Sequence, residues 1–174
     1  FPDWYATLFS GFYLPLFLIL VGLIVRGLGF EYRVKRDDAR WRRNWDICIF
    51  FGSLAPAFTW GLIFANIVRG LAIGSDHEYV GGLVDLLNPY ALLGGLTTTA
   101  LFVVHGAIFL SLKNVDELRE RCREAARRLA SVAASLLIAF LVWTYFNAKD
   151  YGHTGLVPAY VPVTAMGSAV VVGW

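Results

Sequence analysis

Long stretches without a charged side chain divide the sequence into segments that could cross a membrane. There are five such stretches, each between 20 and 27 residues long. A helix needs about 20 apolar residues to cross the hydrocarbon core of a bilayer, and it satisfies its backbone hydrogen bonds internally. The pattern therefore predicts an all-α integral membrane protein. Its five expected transmembrane helices form one helical bundle and cover about residues 4–25, 47–68, 88–112, 129–147 and 158–174.

Single residues refine these boundaries and predict contacts between the helices. Asn88 followed by Pro89 predicts a helix start, because the amide can cap the helix and the proline lacks an N–H that would be unpaired there. Pro15 and Pro56 lie within predicted helices and should kink them. Asn66, near the end of the second predicted helix, should hydrogen-bond to a neighbouring helix.

A small and polar patch on the third predicted helix indicates close helix packing. It consists of Gly94, Gly95 and residues 97–99, three consecutive threonines. Small residues let two helix backbones approach, and hydroxyl groups can hydrogen-bond across the contact. His105, on the same helix, lies eight residues before Lys113, about 12 Å from the predicted boundary at 1.5 Å per residue. Two interpretations stay open for it: a hydrogen bond to a neighbouring helix, or a haem or metal ligand together with Met166.

The distribution of lysine and arginine predicts the orientation of the chain. Seven of the 15 basic residues lie within 26–46 and six within 113–128, whereas 69–87 and 148–157 hold one each. Basic residues near the ends of spans stay on the cytoplasmic side. We therefore expect cytoplasmic connections at 26–46 and 113–128 and external connections at 69–87 and 148–157. The chain should start outside and end at the inner face. The second cytoplasmic connection reads as a helix in water, with predicted ion pairs Asp116–Arg119, Glu117–Arg121, Glu120–Arg123 and Glu124–Arg128.

Composition supports a membrane protein and excludes several classes of function. The chain is 57% hydrophobic and 16% charged with a mean hydropathy of +0.59, against about 25% charge in soluble domains. A net charge of +2 gives no reason to expect a nucleic-acid partner. Cys48 and Cys122 are too far apart in sequence to suggest a metal motif. The sequence contains no phosphate-binding loop, zinc-protease motif or credible catalytic triad, so we predict no catalytic, cofactor-binding or metal-binding residue.

One charged pair is predicted to be structural. Arg26 and Asp46 end the first two predicted spans at the same side of the membrane, facing each other across one connection. We expect a half-buried ion pair that holds two antiparallel helices together, although desolvation offsets much of the attraction in such a pair. The alternative is two independent charges whose side chains reach toward the headgroups.

Several short motifs resemble one family over roughly the first 112 residues. They are SGFY at 10–13, RGLGFEYR at 26–33 with Lys35, RWR at 40–42, WD at 45–46, GS at 52–53, Pro56, Gly61, Asn66, Gly70, LLNPY at 86–90 and LLxGL at 92–96. In this order they resemble subunit II of cytochrome bd quinol oxidase. Beyond Lys113 the resemblance rests on hydropathy and the number of spans. The chain then resembles a fragment that lacks the first two spans and the C-terminal part of that subunit.

The resemblance implies a function for a larger assembly. Such a complex oxidises quinol and reduces dioxygen to water with haem b and haem d, all carried by subunit I, and subunit II is its haem-free partner. Implied partners are the haem-bearing subunit I, a small accessory subunit, lipid and a quinone that this chain could bind, in the plasma membrane of a bacterium or archaeon. Arg26 and Asp46 match family positions in a buried charged cluster with an acidic residue of the first span, where a cation can also bind. The alternative is a fragment of a secondary transporter or channel without a redox cofactor.

Overall fold

The chain folds into helices, as the hydrophobic pattern predicts. The computed structural model describes residues 2–74 and 79–150, so the predicted helix at 158–174 and the residue Met166 lie outside the described residues. Across these two ranges there are six helices and no strand, with one isolated bridge between Ile73 and Tyr79. The helices are α1 Pro2–Gly11, α2 Tyr13–Tyr32, α3 Ala39–Arg69, α4 Leu83–Leu86, α5 Pro89–Lys113 and α6 Asp116–Asp150.

Four of these helices, α2, α3, α5 and α6, are long and apolar enough to cross a membrane. They pack in chain order, α2 against α3, α3 against α5, and α5 against α6. The connections at residues 33–38 and 114–115 lie at one end of the bundle, which we call the basic end. Residues 70–88 connect α3 to α5 at the opposite end, the loop end. The all-α class is confirmed, and the inside and outside assignment of these ends stays a prediction.

The first predicted span, 4–25, is two helices rather than one. The break falls at Phe12, between α1 and α2. Pro15 explains it, because proline has no N–H to bond the Gly11 carbonyl four residues earlier and its ring crowds that carbonyl. Phe12 itself is fully buried in the main hydrophobic core, together with Leu62 and Ile63 of α3. At the break, the large aromatic side chain of Phe12 therefore points into the centre of the bundle.

The helices run well past the charge-free stretches. α2 continues to Tyr32 and α3 begins at Ala39, so only residues 33–38 of the predicted connection are non-helical. α6 joins the predicted cytoplasmic helix and the fourth predicted span into one helix of 35 residues. Charged residues such as Arg, Lys and Glu are good helix formers, so a charge ends the hydrocarbon-compatible stretch without ending the helix. Asp38 caps α3, its side chain accepting a hydrogen bond from the Arg40 backbone N–H at 2.9 Å.

α3 stays one helix through Pro56, and a glycine of α2 accommodates this position. A Cβ on Gly22 would lie 3.0 Å from Pro56 Cδ and 3.3 Å from the Gly52 carbonyl oxygen. That carbonyl is the group that loses its usual helical partner at Pro56. The absence of a side chain at Gly22 therefore lets α2 pack directly over the proline and the carbonyl it frees.

The predicted small and polar patch of α5 is a tight contact with α3. A Cβ on Gly61 would lie 2.6 Å from the Gly94 carbonyl oxygen and 2.5 Å from Thr98 Oγ1, closer than real atoms approach. The hydroxyl of Thr98 donates to the Gly94 carbonyl at 2.9 Å, and that of Thr97 donates to the Leu93 carbonyl at 2.8 Å. The prediction of close helix packing at this patch is confirmed.

Candidate functional site

Asp46 forms an ion pair at the basic end, but its partner is Arg33 instead of the predicted Arg26. Arg33 Nε lies 2.5 Å from Asp46 Oδ1, and Nη2 lies 3.4 Å from Oδ2. The side chains are 42% and 50% exposed. The hydrogen bond that Asp46 accepts from Arg33, and then the negative charge of Asp46, raise the pKa of Arg33. The pair joins the end of α2 to the first half of α3 in a solvated position, where such pairs contribute little to stability.

The pairing of α2 with α3 explains the exchange of partners. Arg26 lies level with Gly52, since a Cβ on Gly52 would be 3.0 Å from the Arg26 backbone nitrogen. Asp46 precedes Gly52 by six residues in the antiparallel helix, so it is level with the end of α2. The Arg26 side chain is exposed, its guanidinium carbon 5.6 Å from the centre of the Phe30 ring. The predicted pairing of Arg26 with Asp46 requires both helices to end at these charges, but α2 continues to Tyr32 and α3 begins at Ala39.

Aromatic side chains hold the turn between α2 and α3. Trp41 Nε1 donates a 2.8 Å hydrogen bond to the Tyr32 carbonyl at the end of α2. The rings of Tyr32 and Trp45 stack with centres 5.4 Å apart, and Trp41 meets Trp45 edge to face at 5.8 Å. Lys35 lies over the Tyr32 ring at 4.5 Å. Amphipathic aromatic rings of this kind suit the membrane–water interface.

Two asparagines connect α3 to α5 at the loop end. Asn66, 3% exposed, donates through Nδ2 to the carbonyls of Leu86 at 2.9 Å and Leu62 at 3.0 Å. Its Oδ1 accepts a 2.8 Å bond from Asn88 Nδ2. Asn88 Oδ1 in turn accepts from the Ala91 backbone N–H at 2.9 Å and caps α5, whose first residue is Pro89. The predicted helix start and the predicted contact of Asn66 are both confirmed.

A cavity of about 940 Å³ lies beside this asparagine pair. Its polar lining includes Asn66, Arg69, Tyr79, Asp85 and Asn88. Burial and then the charge of Asp85 raise the pKa of Tyr79. Among the described residues, the lining of the cavity therefore combines the cationic Arg69 and the anionic Asp85 with neutral polar groups.

A second polar contact crosses from α5 to α6. The Tyr90 hydroxyl lies 2.8 Å from Thr144 Oγ1, and the Tyr90 ring stacks on Phe140 with centres 5.0 Å apart. Further along the same pair of helices, Thr97 Oγ1 lies 3.4 Å from the Leu136 carbonyl. These contacts set the antiparallel register of α5 and α6. Tyr90 is part of the LLNPY segment that the family resemblance marks, but its contact with Thr144 was not predicted, and Thr144 was not identified from the sequence.

His105 was the candidate haem or metal ligand of the sequence. His105 is exposed on α5 and has no neighbouring second axial ligand that the structure describes, since Met166 lies beyond that part of the chain. Across residues 2–74 and 79–150, no three His, Cys, Asp or Glu side chains are grouped so that they could hold a metal ion. Thr97 faces the Leu136 carbonyl of α6, and His105 lies eight residues further along α5. Because the two helices are antiparallel, His105 is level with Arg128 of α6. It is therefore nearer the charged boundary than its position in the sequence indicates.

Known proteins identify the family. The family model described as cytochrome bd terminal oxidase subunit II matches residues 1–174, the whole chain. The chain belongs to this family. It is 36% identical over 155 residues to cytochrome bd ubiquinol oxidase subunit 2 of Bacillus subtilis, covering 89% of this chain. It is 38% identical to a probable cytochrome oxidase subunit 2 of Haemophilus influenzae and 33% identical to cytochrome bd-I ubiquinol oxidase subunit 2 of Escherichia coli K12, each over 98% of the chain.

The chain spans 46% of the length of each of these curated relatives. Family membership together with four helices able to cross a bilayer makes it a multi-pass protein of the cell membrane. Two of the residues that the resemblance marked, Gly61 and Asn66, lie where α3 meets α5. Arg33 lies within the marked RGLGFEYR segment, and the resemblance could have drawn attention to it.

Proposed function

We propose that this chain is part of the haem-free subunit II of a cytochrome bd terminal oxidase. In this proposal the complex oxidises quinol and reduces dioxygen to water, with haem b and haem d held by subunit I. Subunit II supports that partner and assembles with it. The observation that carries the proposal is the match of the whole chain to the family, with relatives named as subunits of ubiquinol oxidases.

The contacts of the described helices support a scaffolding role. Gly61 and Gly94 bring α3 and α5 together, the two asparagines connect them at the loop end, and Tyr90 ties α5 to α6. Hydrogen bonds between helices and contacts through small residues are the means by which membrane helices pack without a hydrophobic driving force. A bundle held in this way can present a fixed surface to another membrane subunit.

We further propose that Arg26 pairs with an acidic side chain supplied by a part of the full-length protein that this chain does not cover. Arg26 is exposed, and it takes part in no ion pair among the residues that the structure describes. It stands on a helix that crosses the membrane, where an unpaired charge is costly. A cation that joins this cluster, a quinone bound in this subunit and a small accessory subunit belong to the same proposal.

The role of Arg26 is tested by assembly of the full-length protein. Arg26→Ala should lower the yield of assembled complex. Arg43→Ala removes a basic side chain that is exposed on α3 and should leave the yield at the wild-type level. Equal yields for the two variants would show that Arg26 has no special partner.

The haem-free role is tested by purification of the tagged full-length protein from native membranes. A reduced-minus-oxidised visible spectrum is recorded for the purified complex and for the tagged subunit after dissociation. We expect the far-red absorption of haem d in the complex and no haem bands in the dissociated subunit. Haem that stays with the dissociated subunit would overturn the proposal, and so would a preparation without any haem-bearing partner.

A further inference from the structure

The two helices of the α5–α6 hairpin differ in chemistry at the same level of the bundle. Because Thr97 faces the Leu136 carbonyl, and the helices run antiparallel, residues 106–112 of α5 are level with residues 121–127 of α6. The α5 segment is apolar and largely exposed, with Leu112 75% and Phe109 53% exposed. The α6 segment is densely charged. At this depth, the side chains of α5 therefore favour contact with hydrocarbon, while those of α6 need water or ionic partners.

Some charges in the first turns of α6 are paired and others are not. On one side Glu117 pairs with Arg121 at 2.7 Å, and Glu124 pairs with Arg128 at 2.5 Å, so these charges are balanced. The predicted pairs Asp116–Arg119 and Glu120–Arg123 do not form in this stretch, all of which the structure describes. Three arginines follow each other at four-residue spacing without an acidic partner there: Arg119, Arg123 and Arg127, which we call the arginine stripe.

The arginine stripe adjoins the contact between α6 and α5. Ala126 is buried and Cys122 is half-buried, so the side of α6 that carries them faces the hairpin partner. Arg119 lies three residues before Cys122, and Arg123 lies three residues before Ala126, so each arginine neighbours a seam position on the helix surface. Between residues 101 and 112 of α5 the exposed side chains are apolar apart from His105. At the level of the stripe they are Ile108, Phe109, Leu110 and Leu112.

We propose that the arginine stripe and the apolar end of α5 together bind anionic phospholipid. Acyl chains would lie along the exposed apolar side chains of α5, and the phosphate would meet the unpaired guanidinium groups of α6 at the same level. Arginine binds phosphate through paired N–H donors, and basic clusters at the ends of membrane helices recognise anionic headgroups. Charge complementarity selects lipid over an apolar protein segment, which would leave the three cations unpaired.

The test uses the full-length protein in its complex, reconstituted into phosphatidylcholine vesicles that contain a small fraction of photoactivatable phosphatidylglycerol. Crosslinks are mapped by mass spectrometry. We expect labelling concentrated in the peptide that covers residues 101–128, and little labelling there by the matching photoactivatable phosphatidylcholine. Equal labelling by the two lipids, or no labelling of this peptide because a protein subunit covers it, would overturn the proposal.

Two matched variants remove equal charge from the two sides of α6. In the stripe variant, Arg123→Gln with Arg127→Gln, phosphatidylglycerol labelling should fall by roughly fivefold for each arginine, since one basic residue near an anionic surface contributes about 1 kcal/mol. In the control variant, Arg121→Gln with Arg128→Gln, phosphatidylglycerol labelling should stay within twofold of the wild-type level. A third variant, Arg123→Lys with Arg127→Lys, keeps both charges and should retain most of the labelling. It separates loss of charge from loss of folding. Equal losses of labelling in the stripe and control variants would show that only the net charge of α6 matters, and this would contradict the proposal.

Discussion

Replacement of Asn66 by alanine should destabilise the protein strongly, because this one side chain joins α3 to the start of α5. Asn66→Ala removes three hydrogen bonds of 2.8 to 3.0 Å. It leaves the buried Leu86 carbonyl and the half-buried Asn88 amide each short of one partner. Bonds between membrane helices contribute about 0.6 kcal/mol each, and a buried group without its partner costs about 1–3 kcal/mol. We therefore expect a loss of about 2 to 3 kcal/mol in the free energy of unfolding.

A double-mutant cycle isolates the contact itself. Asn88→Ala should lower the free energy of unfolding by about 1 kcal/mol through the lost helix cap, in addition to the lost bond to Asn66. The double variant should lose about 1 kcal/mol less than the sum of the losses in the two single variants. The measurement is reversible unfolding of the full-length protein in mixed micelles with an increasing fraction of dodecyl sulfate, followed by circular dichroism. Asn114→Ala is the control, since its amide bonds only the Leu110 carbonyl of its own helix at an exposed position. Additive costs in the cycle, or an Asn66 effect no larger than the Asn114 effect, would refute the reasoning.

Other contacts give three further predictions. Gly61→Ala should lower the midpoint of the same unfolding transition by forcing α3 away from α5, whereas Gly106→Ala, where a Cβ meets nothing within 4 Å, should be neutral or stabilising. Tyr90→Phe should lower the free energy of unfolding by about 0.6 kcal/mol through loss of the hydrogen bond to Thr144. If this variant unfolds as the wild type does, the bond contributes nothing. Tyr79 should ionise at a higher pH than free tyrosine, as followed by ultraviolet absorbance against a Tyr79→Phe reference. Because its folded pKa is raised, its contribution to stability should be complete below about pH 10 and fall as the pH rises through the folded value.

The sequence predicted features that depend on local chemistry or on hydrophobic length. The start of α5 was placed at 88 and lies at Pro89, because the cap and the proline are adjacent in the chain. The ends of α2 and α3 were placed at charges, yet both helices continue beyond them, because a charge marks the limit of the hydrocarbon and not of the helix.

Partners across helices could not be predicted because they depend on register. The hydrogen bond of Asn66 was expected, but its partner Asn88 is 22 residues away, on the far side of a loop whose path the pattern does not determine. Arg33 replaces Arg26 as the partner of Asp46 for the same reason, since the pairing depends on how far α2 extends. Tyr90 and Thr144, 54 residues apart, become neighbours only once the register of α5 and α6 is known.

We propose that this part of subunit II contributes to the scaffold of an oxidase and not to its chemistry. It is tested most directly with Asn66→Ala in the full-length protein, expressed with its partner subunit. The haem d content of the membranes reports assembly, and quinol-dependent oxygen uptake divided by that content reports turnover per haem. The account predicts less assembled complex with unchanged turnover per haem. Wild-type assembly with reduced turnover per haem would contradict it.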